Sequence, residues 1–186
     1  MIEISYLQMV IAISVIWVVV RAICWIKQKG VCLKRELQLL FVYICIVVVV
    51  RFTFCPFAKA DGKIQPLLFD PKNVFPPWVN FMPFVYWFDY PTMKEALLNL
   101  IGNTAMFFPL GIVWPSAFKK LNTHGKVIIA GLGVSLTIEI LQLPFFDRAS
   151  DIDDLILNTT GYLMGYGIYV LVKKLWRGKY AVKRMP

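Results

Sequence analysis

Ile11-Ala12-Ile13-Ser14-Val15-Ile16-Trp17-Val18-Val19-Val20 carries no charge and a single hydroxyl. Phe41-Val42-Tyr43-Ile44-Cys45-Ile46-Val47-Val48-Val49-Val50 repeats the pattern twenty-odd residues on. Each sits inside a longer apolar block, Ile4–Ile26 and Leu37–Cys55. A bilayer's hydrocarbon core is about 30 Å thick, and a helix crosses it with about 20 mostly apolar residues. Both blocks meet that length. Three further blocks do so with polar residues inside them: Ala96–Phe118, Lys126–Phe146 and Asp154–Leu175. The chain therefore reads as an all-α integral membrane protein with about five transmembrane helices. Its apolar content of 59% over 186 residues exceeds what a soluble core of this size needs.

The first block begins Met1-Ile2-Glu3, without a basic leader, and its apolar run is longer than a signal-peptide core. It reads as a retained helix. The net charge of +9 raises nucleic acid as a partner, but the placement of the cations argues against it. With alternating spans, Lys27, Lys29, Lys34, Arg35, Lys119, Lys120, Lys126, Lys173, Lys174, Arg177, Lys179, Lys183 and Arg184 share one side. Lys59, Lys63, Lys72, Lys94 and Arg148 share the other. Basic loops mark the cytoplasmic face. The expected topology has the N-terminus outside and the C-terminus in the cytoplasm, with membrane lipid as partner and no nucleic acid. Cys24, Cys32, Cys45 and Cys55 form neither a CxxC nor a Cys/His cluster and read as small buried apolar residues.

Residues 1–55 read as an N-terminal transmembrane hairpin and 56–95 as a long outer loop. That loop holds seven prolines, Pro56, Pro66, Pro71, Pro76, Pro77, Pro83 and Pro91, which oppose long helices. It also holds Phe75, Trp78, Phe81, Phe84, Tyr86, Trp87, Phe88 and Tyr90. Aromatic side chains settle at the membrane interface, so Trp78–Tyr90 is expected on or in the outer leaflet, as an anchor or as a lid over a site.

The chemistry-bearing residues fall in the last three spans. A polar group in lipid needs a partner, so such groups turn inward and bond one another. Asn99 and Asn103 are four apart on one helix face. Pro109 lies mid-helix and favours a kink. Ser135, Glu139 and Gln142 share a face of the fourth span, with Glu139 placed about seven residues from its outer end. Intramembrane acids are rare and generally functional. Then follows Asp147-Arg148-Ala149-Ser150-Asp151-Ile152-Asp153-Asp154, four aspartates around one arginine. Asp151, Asp154 and Asn158 read as one helical face, continued by Gly161 and Gly165 as a small-xxx-small contact. Ser150 or Asp151 is expected to cap the fifth helix. Asn99, Asn103, Glu139, Gln142, Arg148, Asp151, Asp154 and Asn158 converge at one depth, the outer third of the membrane.

Such a pocket of hard oxygens suits Mg²⁺ or Ca²⁺, though no spaced metal motif is present. Paired carboxylates suit acid–base work, and an arginine with asparagines suits a phosphate or carboxylate headgroup. The chain's one histidine, His124, is expected in a cytoplasmic loop, away from any nucleophile. Walker A and GxGxxG sequences are both missing, and the sequence leaves cofactor and metal open.

Four segments in order resemble the VanZ-like family. They are Asn80-Phe81-Met82-Pro83-Phe84; Asn99, Asn103 and Phe107-Phe108-Pro109-Leu110-Gly111; Ser135, Glu139 and Gln142; and Arg148, Asp151, Asp154, Asn158 and Gly161. The resemblance marks 78–175 as the VanZ-like domain and adds Asn80 to the candidate site. It implies a multi-pass bacterial cell-membrane protein of the envelope, linked to lowered teicoplanin susceptibility, and supplies no mechanism. On this reading Glu139, Asp154 and Asp151 are the candidate catalytic groups. Asn80, Asn99, Asn103, Gln142, Arg148 and Asn158 are the candidate contacts to a lipid-linked envelope substrate. An intramembrane enzyme, a lipid binder or transporter, and a non-catalytic assembly protein all remain open.

Overall fold

The computed structural model describes residues 2–28, 30–55, 59–60, 63–70, 79–85, 90–146 and 148–182. Five helices are long and apolar enough to cross a membrane: α1 (Tyr6–Gln28), α2 (Leu33–Phe54), α3 (Met93–Ala117), α4 (His124–Gln142) and α5 (Ile152–Val182). Short strands decorate one end: β1 (Ile2–Ile4), β2 (Lys59–Ala60), β3 (Lys63–Ile64), β4 (Leu67–Phe69), β5 (Val79–Asn80) and β6 (Ser150–Asp151).

The bundle is organised by α3 and α5, whose backbones touch. An ideal Cβ on Gly161 would stand 1.9 Å from the Thr104 carbonyl oxygen. On Gly165 it would stand 2.0 Å from that of Phe108, and on Gly111 1.9 Å from that of Tyr162. Apolar burial does not drive helices together in lipid, so close backbone contact between small residues carries the association. The small-xxx-small expectation for Gly161 and Gly165 is met, with Gly111 as the answering residue. On the α4 side the Tyr162 ring, fully buried, lies against Gly131, where a Cβ would come within 2.3 Å of it. Helix α2 joins the same core through a stripe of Leu39, Val42, Cys45, Val49 and Thr53.

Helix α1 stays at the rim. Only Arg21 on it is buried, while Ile11, Val15, Ile16, Val18 and Val19 are exposed to the bilayer. It is held to α2 by a 2.6 Å hydrogen bond between the Ser14 and Tyr43 hydroxyls, by Trp17 against Tyr43 at 5.4 Å, and by the Arg21–Glu36 ion pair.

Two expectations shift. The fourth span ends at Gln142, not Phe146, because Pro144 has no amide to continue the ladder; Leu143 and Pro144 form a turn. Glu139 consequently lies in the last turn of its helix. His124 is not in a loop: it opens α4, and its Nδ1 meets the Tyr166 hydroxyl at 2.9 Å. Helix α3 runs unbroken through Pro109 and Pro115.

At the decorated end, β1 pairs antiparallel with β4, and the Asp70 amide donates to the Pro144 carbonyl at 2.8 Å. The Phe146 amide donates to the Leu68 carbonyl at 2.9 Å. These contacts tie the first residues and the long loop to the α4–α5 turn. The α1–α2 and α3–α4 connections, with their lysines, lie at the opposite end. Of the aromatic loop, Phe81, Met82, Phe84 and Val85 are exposed. Phe75, Trp78, Tyr86, Trp87 and Phe88 lie outside the described residues.

Candidate functional site

Strands β5 and β6 set the geometry of the site. They pair in parallel, Val79 with Ser150 and Asn80 with Asp151, across a long stretch of sequence. The pairing lays the Asn80–Phe84 segment over the start of α5. Asn80 Nδ2 donates to Asp151 Oδ1 at 3.0 Å, while its Oδ1 accepts from the Met82 amide at 3.0 Å. Asp151 Oδ1 also accepts from the Asp153 amide at 2.9 Å, closing the first turn of α5 as a cap does. Asp151 therefore sits in a strand before the helix and not on the helical face shared by Asp154 and Asn158, because its backbone is engaged with β5. The capping expectation for Asp151 is met.

Beneath this strap lies Glu139, 5% exposed. Its Oε2 accepts from the Asp151 amide at 3.0 Å. Asp154, one helical turn from Asn158, accepts through Oδ1 from Asn103 Nδ2, which itself donates to Asn99 Oδ1 at 3.4 Å. Glu139 and Asp154 lie within reach of one another's charge, and Arg148 within reach of Asp154. Asn158 is 1% exposed and Ser135 fully buried; among the described residues neither Asn158 Oδ1 nor Ser135 Oγ meets a hydrogen-bond partner. A buried polar atom without a partner costs about 1–3 kcal/mol, so the site's inner wall has hydrogen-bonding capacity for water or a bound group.

The expected residues thus divide. Asn80, Asp151 and Glu139 form one hydrogen-bonded set and Asn99, Asn103 and Asp154 a second. The two are brought together where Glu139 and Asp154 feel one another's charge, with Arg148 within reach of Asp154 and Asn158 one turn further along α5. Gln142 is committed elsewhere: its Nε2 donates 2.7 Å to the Thr53 carbonyl. That carbonyl belongs to the last turn of α2, where helix geometry supplies no amide. Gln142 Oε1 has no partner among the described residues. Asn80 and Asn103 donate to carboxylates, so their immediate task is to orient Asp151 and Asp154. Among the described residues no three His, Cys, Asp or Glu side chains converge as a metal ion would require.

Three participants have no place in the sequence-derived site. Asp153 accepts the Phe84 amide through both oxygens, at 2.9 and 3.1 Å. Phe84 has φ of 60°, a left-handed conformation that costs a non-glycine residue roughly 1–3 kcal/mol and here is fixed by that carboxylate. Tyr90, 36% exposed, lies within reach of the cluster's charge; burial first, then the charges of Asp154, Asp151 and Asp153, push its phenol above the usual value. Ser135 belongs to the inner wall. Its spacing from Glu139 placed it on that face, and its lack of a partner is what structure adds.

The strap yields a direct prediction. Asn80→Ala removes the side-chain bonds to Asp151 and to the Met82 amide. It should lower stability by about 1–2 kcal/mol, mostly local to 79–85. Protease added to the site-end face of oriented vesicles should then cut within 79–85 faster than in wild type. An unchanged cleavage rate would mean that the β5–β6 pairing holds without Asn80.

A family model described as VanZ/LLP1 matches residues 40–173. Protein VanZ of Enterococcus faecium is 37% identical over 112 residues, covering 60% of this chain and 65% of that protein. The uncharacterized membrane protein YwnJ of Bacillus subtilis (strain 168) is 31% identical over 84 residues, covering 45% of this chain and 56% of that protein. The chain thus spans less than two thirds of each relative. No solved structure matches.

Proposed function

The chain belongs to the VanZ/LLP1 family, and we propose that it acts at the cell envelope by engaging a lipid-linked substrate at its carboxylate network, lowering susceptibility to teicoplanin. The observation that carries this reading is the way the acids are held. Glu139, Asp151 and Asp154 come from two helices and a strand, and the donors that orient them include backbone amides, asparagine side chains and the Ser150 hydroxyl. Joining helices does not require ionisable groups, since neutral amides do so in lipid. Retaining three carboxylates at the edge of a membrane domain, with Arg148 supplying the positive charge, supports binding or proton transfer.

In this reading Glu139 and Asp154 hold or move a proton, Asp151 locks the strap, and Arg148 balances an anionic headgroup. Asn158 and Ser135 offer their unpartnered oxygens to the bound group. In this reading the decorated end faces outward and the lysine-rich end faces the cytoplasm, an orientation that the charge bias supports. The cell membrane of a bacterium is the setting.

A second reading has its own observation: Gln142 and Asn80 spend their amides on helix and loop assembly. One experiment separates the two. Cells express wild type, Glu139→Gln or Asp154→Asn at matched membrane levels, and teicoplanin susceptibility is measured. Protection by wild type, lost in both variants, is the expected result. Equal protection by all three sinks the site assignment. Variants that fail to reach matched levels would make the network an assembly device. No protection by wild type removes teicoplanin from the function.

A further inference from the structure

The end of the bundle opposite the carboxylate network carries two adjoining clefts. One, of about 620 Å³, lies between the end of α3, the start of α4 and the far part of α5, and includes Lys119, Lys173 and Lys174. The other, of about 710 Å³, lies between α2 and the α3–α4 connection and includes Lys34, Arg35 and Lys120. Ser116 and Lys119 line both. Among the described residues no carboxylate lines either cleft; the nearby acid, Glu36, is bound by Arg21.

A general excess of cations in these loops is expected from topology alone. Topology does not require that cations from three segments border shared concavities with fixed walls. Tyr166 and His124 are joined at 2.9 Å, and Gln38 Nε2 donates 3.2 Å to the Ser116 carbonyl. Arg35 stacks over the Phe118 ring at 5.4 Å and Lys173 over Tyr169 at 5.5 Å, which holds both charges against the cleft walls. Like charges so placed repel unless an anion sits between them.

We propose that the two clefts are a seat for the phosphate of an anionic lipid headgroup, with Lys119 as the shared contact. A lipid is favoured over a soluble phosphate by depth and by surroundings. Lys119 lies two residues past the end of α3, and Lys173 and Lys174 fall in the last turns of the α5 span, at the level of headgroup phosphates. Leu171, Val172 and Leu175 are exposed beside those lysines and offer acyl chains a wall. The seat does not depend on the function proposed for the other end.

The test uses the purified full chain in a neutral detergent. Its melting temperature is followed while phosphatidylglycerol, phosphatidylcholine or inorganic pyrophosphate is added. Phosphatidylglycerol should stabilise the wild type and Lys94→Gln, which changes a lysine at the opposite end, while phosphatidylcholine should not. Binding should weaken roughly fivefold for each lysine removed in Lys119→Gln and in Lys119→Gln/Lys173→Gln. Native mass spectrometry of the wild type, which needs no variant, should retain phosphatidylglycerol in preference to phosphatidylcholine. Equal response to both lipids, or an undiminished response in the double variant, overturns the proposal. Stabilisation by pyrophosphate alone, with none by phosphatidylglycerol, keeps the phosphate chemistry and overturns the lipid.

Discussion

Gly161→Ala should destabilise the bundle by forcing its two central helices apart. The added methyl would stand 1.9 Å from the Thr104 carbonyl oxygen and 2.7 Å from its carbon. Both are backbone atoms of a helix, so no rotamer change makes room. Either α3 and α5 separate or α5 bends, and each breaks the neighbouring contacts of Gly165 on Phe108 and of Gly111 on Tyr162. The expected destabilisation is about 3 kcal/mol, the upper part of the usual range for overpacking. The same substitution at Gly102 on α3 or Gly167 on α5 adds a methyl with nothing within 4 Å. Those two variants serve as controls for helix propensity and insertion. Heat-induced loss of monodisperse protein in detergent would read the difference. If Gly161→Ala melts with Gly102→Ala and Gly167→Ala, the two helices do not meet as described.

The same positions show what could be read without coordinates. Gly161 and Gly165 announced a close helix contact because small residues four apart have few other uses in lipid. The partner helix was not announced, since Gly111 sits in a motif that also contains Pro109. The spans were legible from hydropathy, yet the inner stripe of α2 was not. Val42, Cys45 and Val49 face the core while Phe41, Ile44 and Val48 face lipid, and both sets are apolar. In water the solvent face would be polar and would give the orientation away. In a bilayer that contrast is lost.

The site was legible residue by residue but not in its connections. Asn103 and Asn99 are one turn apart, so their contact follows from helix geometry, while the same spacing puts Asp154 and Asn158 on a common face. Asn80 on Asp151 joins two strands of two residues each, too short to leave a periodic trace. Gln142 went to α2 because its partner is a backbone carbonyl, and any residue at position 53 would provide one. The apolar residues Leu143, Phe145 and Phe146 made the fourth span look longer than it is; one proline, Pro144, decided the matter.

A second large effect is expected where α1 meets α2. Arg21 is 9% exposed and forms a two-pronged contact with Glu36, Nε to Oε2 at 3.0 Å and Nη2 to Oε1. The guanidinium also lies 5.8 Å from the Trp25 ring. Other described side-chain contacts between α1 and α2 are Ser14 with Tyr43, Trp17 with Tyr43 and, at the far end, Arg51 over the Tyr6 ring at 5.6 Å. Glu36→Leu would leave the Arg21 charge without its carboxylate; with the Glu36 side chain 19% exposed, the cost is that of losing charge-assisted hydrogen bonds, about 1.5–3 kcal/mol. Arg21→Leu/Glu36→Leu removes both charges together, and the gain in apolar contact should offset most of the lost attraction. The single variant should therefore be far less stable than the double variant in detergent unfolding, a non-additivity that identifies the pair itself. The carboxylate network lies at the other end of the bundle, so teicoplanin protection should persist in the double variant. Single and double variants of equal stability would mean that Glu36 contributes by its volume alone and that α1 is held by its contacts to Tyr43 and Arg51.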